Sequence, residues 1–369
     1  MSLRQSEVRP SPGVSDLKSS LVVKAAGELN SFARDILIAA RVSEQNAIRV
    51  AEALVSSNLC GVDTHGVWHL PGYVEAVKKG EINPTSRPSI LSETANTALV
   101  SGGWTFGHVG AKFATEVAIE KAQKHDLSLV SLVEAHHIGR LGEYVELAAS
   151  AGLISMIWAG GFGEDVPAAV PFGGRERALH TNPVAMAFPS DSAGPSMMFD
   201  FATTALSGVK VHEAREKHQQ LPLGSIVDKE GNPTTEPSAF FEGGAHLPFG
   251  GHKGYAFMLA AEYLGRIFTG SDAFARQDVG GAIFGHSGTT IIVFRADLFQ
   301  ALDQYRQRAE AIESRIRSVL PAPGFGEVLM PGDLEARARA SRQREGIPIP
   351  ERIWEKLTVL ADSLGVTKP

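Results

Sequence analysis

Three segments carry the residues that could do chemistry. The first is Glu134-Ala135-His136-His137-Ile138-Gly139, which falls between an apolar run and the helical pattern that follows. At the start of a helix the positive end of the dipole opposes protonation, so His137 there would stay neutral and could exchange a proton near neutral pH. The other reading of His137 is a histidine hydrogen-bonded in the core. The second segment is Thr64-His65-Gly66-Val67-Trp68-His69. On a helix, His65 and His69 would share one face as zinc ligands do. The glutamate of H-E-x-x-H is missing, however, and no cysteine or histidine doublet completes a shell, so no metal is expected. Proton transfer by a histidine beside the Thr64 hydroxyl is the better chemical fit. The third segment, Phe249-Gly250-Gly251-His252-Lys253-Gly254-Tyr255, opens into a long apolar helical pattern. Free backbone N–H groups at a helix start attract anions, and a lysine there opposes the dipole unless it meets one. Anion binding through Lys253 and a plain loop with a solvated lysine both remain open.

The elements around these segments alternate in type. Helical spacing of Leu21, Ala25, Leu29 and Phe32, then of Ala47, Val50, Ala51 and Leu54 after a Ser43 cap, predicts two helices between residues 16 and 60. Beyond the Asn83-Pro84 and Arg87-Pro88 breaks, helices over 106–125 and 141–151 alternate with strands over 127–133 and 153–158. Strands follow at 185–189, 197–201 and 289–294, and helices at 253–268, 298–319, 335–344 and 351–364. Such alternation indicates an α/β sheet. Residues 219–251, rich in glycine, proline and polar residues, read as a long connection of the kind that carries function.

Composition narrows the partners. The chain has 369 residues, with 35 Lys and Arg against 41 Asp and Glu, a net charge of −6 without a basic run, which argues against nucleic acid. The apolar stretch over 255–268 is cut by Glu262 and Arg266, short of the roughly 20 apolar residues a bilayer span requires. No secretory signal pattern fits the first twenty residues, and the single Cys60 rules out an intrachain disulfide. The protein is expected in the cytoplasm, with a small-molecule substrate and no membrane or nucleic-acid partner.

The standard nucleotide fingerprints fail. There is no P-loop, and Gly161-Phe162-Gly163-Glu164-Asp165-Val166 stops one glycine short of G-x-G-x-x-G. Seven stretches in order nevertheless share one resemblance: Gly61 to Gly66, His137-Ile138-Gly139, Val170 to Gly174, Thr181 to Ala185, Asp200 to Thr204, Gly250 to Tyr255, and Pro331-Gly332-Asp333 followed by Glu345-Gly346-Ile347. From residue 20 to residue 366 the chain resembles the malate/L-lactate dehydrogenase family, whose relatives include ureidoglycolate dehydrogenase, diketogulonate reductase and piperideine-carboxylate reductase.

The resemblance implies an α/β protein with a non-Rossmann, NAD(P)-binding mixed-sheet domain over 89–329. A helical domain from both chain ends, 16–88 plus 330–369, would contribute to the substrate site, after a loose tail at 1–15. It implies NAD or NADP as cofactor and a homodimer with its active site near the subunit contact. His137 and His65 map to catalytic positions, and Thr64, His69 and Tyr73 to the substrate pocket. Met198, Phe199, Asp200, Phe201, Ala202, Thr203, Thr204, His252, Lys253, Gly332, Asp333 and Leu334 map to cofactor contacts. Asp200 also reads as a structural acid capping a turn. The implied reaction moves hydride between nicotinamide and C2 of a small 2-hydroxy or 2-oxo acid while a histidine handles the proton. Reduction of a cyclic imine carboxylate, or cofactor binding without turnover, are the alternatives.

Departures from the family bear on the pocket. His69 stands where the family usually has an arginine suited to a carboxylate, and if protonated it would replace part of that charge. Thr64 replaces a serine, Ala159 and Gly160 replace polar residues, Gly161 to Val166 reads as an insertion, and Ala256 replaces a glycine. Arg337, Arg339, Arg342 and Arg344 would either meet a 2′-phosphate or form a solvated helix face.

Overall fold

In the computed structural model, which describes residues 21–190, 195, 197–276 and 285–369, the first described element is a strand where the spacing of Leu21 and Ala25 predicts a helix. The tail expected over residues 1–15 lies outside the described residues. Strand β1 (Leu21–Lys24) contains the β-branched pair Val22 and Val23 and bonds antiparallel to Ile347–Pro350, far along the chain. Helices α1 (Ala26–Ala39) and α2 (Glu44–Leu59) follow, packed through the expected stripes. Ser43 precedes α2 as expected, but its side chain makes no capping bond. Two 3₁₀ turns, Asp63–His65 and Val67–His69, lead into α3 (Leu70–Lys78). They are separated by Gly66, whose extended backbone lies so close to Asn58 that a Cβ would come within 2.2 Å of Oδ1.

The sheet region starts with a hairpin, β2 (Ser89–Glu93) and β3 (Thr97–Ser101), in a stretch where no strand is expected because every residue of β2 is exposed and no alternation marks it. Then come α4 (Gly107–His125), β4 (Leu127–Val133), α5 (Gly142–Ser150), β5 (Leu153–Gly160) and the short α6 (Phe162–Asp165), which the apparent insertion forms. Strands β6 (Val184–Phe188) and β7 (Met197–Phe201) precede α7 (Gly208–Glu216). The connection over 219–251 is more ordered than its composition suggests. It holds a small sheet of β8 (Ile226–Val227), β9 (Pro233–Thr234) and β10 (Ala245–His246) around α8 (Pro237–Phe241).

Helix α9 (His252–Glu262) then widens into a π turn, Tyr263–Ile267, instead of running evenly to residue 268. The widening accompanies a three-glycine contact: a Cβ on Gly265 would sit 2.2 Å from the Gly160 nitrogen, and one on Gly288 2.0 Å from the Gly265 oxygen. The chain finishes with β11 (Gly288–Arg295), α10 (Leu302–Arg317), α11 (Asp333–Glu345), β12 (Ile347–Pro350) and α12 (Glu351–Leu364).

The main sheet has the order β2-β3-β4-β11-β5-β6-β7, and β3–β4 is its only parallel pair. A doubly wound nucleotide fold needs a run of parallel strands with a helix on each crossover, so this mixed α/β sheet is not of the Rossmann kind and the missing fingerprints have a topological cause. One core joins the sheet to α4 and α5 through Val100, Ala114, Leu132, Tyr144, Ile157 and Ile291. A second joins α1, α2 and α3 to β12 and α12 through Leu29, Ile36, Leu54, Leu70, Ile347 and Leu357. Phe106 and Val109, around the first turn of α4, pack into this second core and bridge the two. Among the described residues no helix is long and apolar enough to cross a membrane.

Candidate active site

His137 sits in the loop between β4 and α5, five residues before Gly142 opens the helix. It is therefore not a helix-start histidine. The loop begins at Glu134, with φ of 51°, and turns again at Gly139, with φ of 76°. Beneath it, α4 starts on a glycine: a Cβ at Gly107 would come 2.3 Å from the His136 oxygen and 2.4 Å from that of His137. Burial, with His69, His65 and His108 nearby, holds the His137 imidazole neutral well below the usual histidine range. Burial does what the helix dipole was expected to do.

Tyr73 reaches up from α3, and its hydroxyl lies 2.8 Å from His137 Nδ1. That contact engages Nδ1, and the ring itself lines the cavity. His65 stacks on the same ring, centroids 5.4 Å apart and planes 19° apart, and its Nδ1 lies 3.0 Å from the Thr64 hydroxyl. His69 packs between Tyr73 and His137, at 5.5 and 4.9 Å. Its Nε2 donates to the Thr64 carbonyl at 2.9 Å. Burial lowers His65 to about 4, aided by His69 and Arg140, and lowers His69 to about 4. His69 is thus neutral and does not replace the arginine charge.

These side chains wall one side of a cavity of about 380 Å³; the other side is made by the sheet and includes Met198, Asp200, Phe201 and Ala202. Asp200 takes the structural part of its two readings and also lines the cavity. Its Oδ2 accepts the Gly142 N–H at 2.7 Å, capping α5, while the carboxyl faces the cavity, where burial pushes it up to about 6. Phe199 stacks on Phe201. Thr203 is buried and donates to the carbonyls of Thr181 and Asn182, and Thr204 donates to that of Leu206. Both threonines shape the turn and lie outside the cavity wall.

The turn is tied to the start of α9, because the Phe249 N–H donates to the Thr203 carbonyl and Thr204 bridges Pro248. Gly250 and Gly251, with φ of 55° and 65°, bring the chain into the helix, and His252 and Lys253 stand exposed on its first turn, away from the wall. On the other flank, the Met198 N–H donates to Pro331, and a Cβ on Gly332 would lie 3.3 Å from the Met198 oxygen. Asp333 pairs with Arg317 and accepts the Met330 N–H at 2.8 Å, and Leu334 is exposed. The three stretches assigned to the cofactor thus converge on β7, though only Met198, Asp200, Phe201 and Ala202 reach the cavity.

The arginines of α11 are mostly engaged within the chain. Arg337 pairs with Glu327, Arg342 with Asp63, and Arg339 with Glu146 and the Cys60 sulfur. Arg344 lies 3.7 Å from its neighbour Glu345. They brace α11 against the body more than they offer a phosphate site. Ala159 lines the cavity; Gly160 has no room for a side chain, since its Cβ would meet the Ala261 oxygen at 2.3 Å. Sequence reasoning missed Arg140 and His180, which also line the cavity. An arginine three residues after His137, in a run otherwise without charge from Ala135 to Gly142, was the available signal. Among the described residues no cluster of three or more His, Cys, Asp or Glu side chains could hold a metal ion.

The profile of the malate/L-lactate dehydrogenase family matches residues 25–358. The chain belongs to the malate/L-lactate dehydrogenase family. It is 36% identical to the L-lactate dehydrogenase of Cupriavidus necator, over 92% of this chain and 97% of that one. The solved sulfolactate dehydrogenase of Methanocaldococcus jannaschii superposes with a TM-score of 0.85 at 32% identity, covering 94% of this chain and 98% of that one. The malate dehydrogenase of Pyrococcus horikoshii OT3 does so with a TM-score of 0.84 at 27% identity, covering 97% and 99%. The protein is an oxidoreductase of the 2-hydroxy acid dehydrogenase and reductase group. In this family member the histidines come from the helical core and the loop before α5, Asp200 comes from the sheet edge, and the cavity lies between them.

Proposed function

We propose that this dehydrogenase uses NAD or NADP to move hydride to or from C2 of a small 2-hydroxy or 2-oxo acid, with His137 exchanging the proton on the 2-oxygen. The observation that carries the reading is the Tyr73–His137 pair: a hydroxyl 2.8 Å from Nδ1 of a neutral ring that lines the cavity. The residues fit a dinucleotide. A cavity for the ring adjoins β7, and a glycine-rich helix start with an exposed lysine, tied by backbone bonds to the end of β7, suits the phosphates. A bound nicotinamide supplies or takes the hydride at its C4.

With Nδ1–H donated to the Tyr73 oxygen, Nε2 of His137 carries the lone pair and accepts the hydroxyl proton of a 2-hydroxy acid as general base. In the reverse direction the same nitrogen, once protonated, returns the proton to the 2-oxygen. His65, stacked 5.4 Å away, resists a second charge, so at most one of the two rings becomes an imidazolium at a time. Trp68, Phe162 and Phe201 exclude water from the reacting carbon.

The test is an absorbance screen of 2-oxo acids and cyclic imine carboxylates against both reduced cofactors, with the His137→Ala variant alongside. Turnover of a 2-oxo acid that disappears in the variant while cofactor affinity stays the same is the expected result. Turnover of cyclic imines alone would reassign the acceptor, and unchanged turnover in the variant would remove His137 from the mechanism.

A further inference from the structure

A 2-oxo acid carries a carboxylate, and His69, neutral and committed to the Thr64 carbonyl, cannot hold it. The charge must come from another residue. Among the described residues walling the cavity, Arg140 is the one lysine or arginine. It is 2% exposed, and Nη2 donates to Glu146 at 2.9 Å while Nε and Nη1 have no acceptor. Glu146 also takes a bond from Arg339 at 2.8 Å, so one carboxylate answers two guanidinium groups. A buried cation with idle donors is costly unless something completes its shell. The same wall carries two acidic side chains, Glu335 and, beside Arg140 at the start of α5, Asp200, together with the apolar Phe162 and Phe201.

Building on the 2-oxo acid reading, we propose that Arg140, turning about its Glu146 bond, holds the substrate carboxylate, and that the substrate is a 2-oxo or 2-hydroxy monocarboxylate with an uncharged tail. One cation satisfies one anionic group. A dianion such as oxaloacetate or sulfopyruvate would bring its second charge against Asp200 and Glu335. Arg140 thus supplies the charge that His69 lacks, from the loop that also carries His137.

The selectivity is read on the wild-type protein, with 2-oxobutyrate and oxaloacetate as paired substrates and reduced cofactor saturating. We expect kcat/KM to favour 2-oxobutyrate by about 10-fold or more, the scale of one charge-assisted hydrogen bond. Equal rates, or preference for oxaloacetate, overturn the proposal. Arg140→Gln should raise KM for 2-oxobutyrate about 10- to 100-fold, leave cofactor Kd unchanged, and recover in part with added guanidinium; Arg140→Lys should fall between. A KM within twofold of wild type in Arg140→Gln overturns the assignment. If the wild type reduces no 2-oxo acid at all, the functional reading fails separately. Arg140 is then judged by calorimetry with oxamate on the protein–cofactor complex. Binding lost in Arg140→Gln supports the site; equal binding in both proteins, or none in the wild type, overturns it.

Discussion

Tyr73 matters because it decides which nitrogen of His137 meets the substrate. With the phenol removed, Nδ1 loses its partner and the ring is free to turn or change tautomer. Tyr73→Phe should lower kcat about 2- to 10-fold, the worth of one ordinary hydrogen bond, with cofactor affinity unchanged; single-turnover kinetics reads it. A rate equal to wild type would mean that the neighbouring rings alone orient His137. At this scale the sequence was informative about identity and poor about cause. Thr64, His65, His69, Tyr73 and His137 share one cavity although their positions span two separate segments; the motifs held four of them and the family resemblance added Tyr73. Motifs could not show that burial, not a helix terminus, keeps His137 neutral, or that the pocket cation is Arg140, because both facts depend on which residues meet in space.

The loop bearing His137 and Arg140 rests on the first turn of α4, where Gly107 packs under two loop carbonyls. Gly107→Ala must push the loop outward, since its Cβ would lie 2.3 Å from the His136 oxygen. A displacement near 1 Å can cost about 100-fold in rate, so kcat should fall by that order while far-ultraviolet dichroism stays native. Unaltered kcat would show that the loop is free to adjust. Elements whose patterning is local were readable: β4, β7 and α12 occupy the spans that their apolar runs predict. Elements defined by distant partners were not. Leu21 and Ala25 fall at helical spacing, but Leu21–Lys24 is a strand because Ile347–Pro350 pairs with it. The exposed β2 is likewise a strand only through its partner β3.

Taken whole, the described part of the molecule holds six buried or half-buried histidines that burial keeps neutral. Burial lowers His65, His69, His180 and His246 to about 4, and holds His108 and His137 well below the usual histidine range. Each takes a proton in the unfolded chain near the ordinary value of about 6.5 but resists it when folded. Their contribution to stability is therefore present above that value and lost as pH falls toward 4, each group removing up to about 1.4 kcal/mol per pH unit. Calorimetric Tm should drop steeply between about pH 6.5 and pH 5, and replacing His246 with a neutral isostere should soften the slope; a flat Tm over that range would show that the rings charge without unfolding. The clasp between Leu21–Lys24 and Ile347–Pro350 has a consequence for biogenesis. A ribosome must translate past residue 350 before β1 finds its neighbour, and Glu335 reaches the pocket from the helix just before that neighbour. In a nascent chain Leu21–Lys24 therefore stays unpaired, and the pocket stays without Glu335, while more than three hundred intervening residues are made.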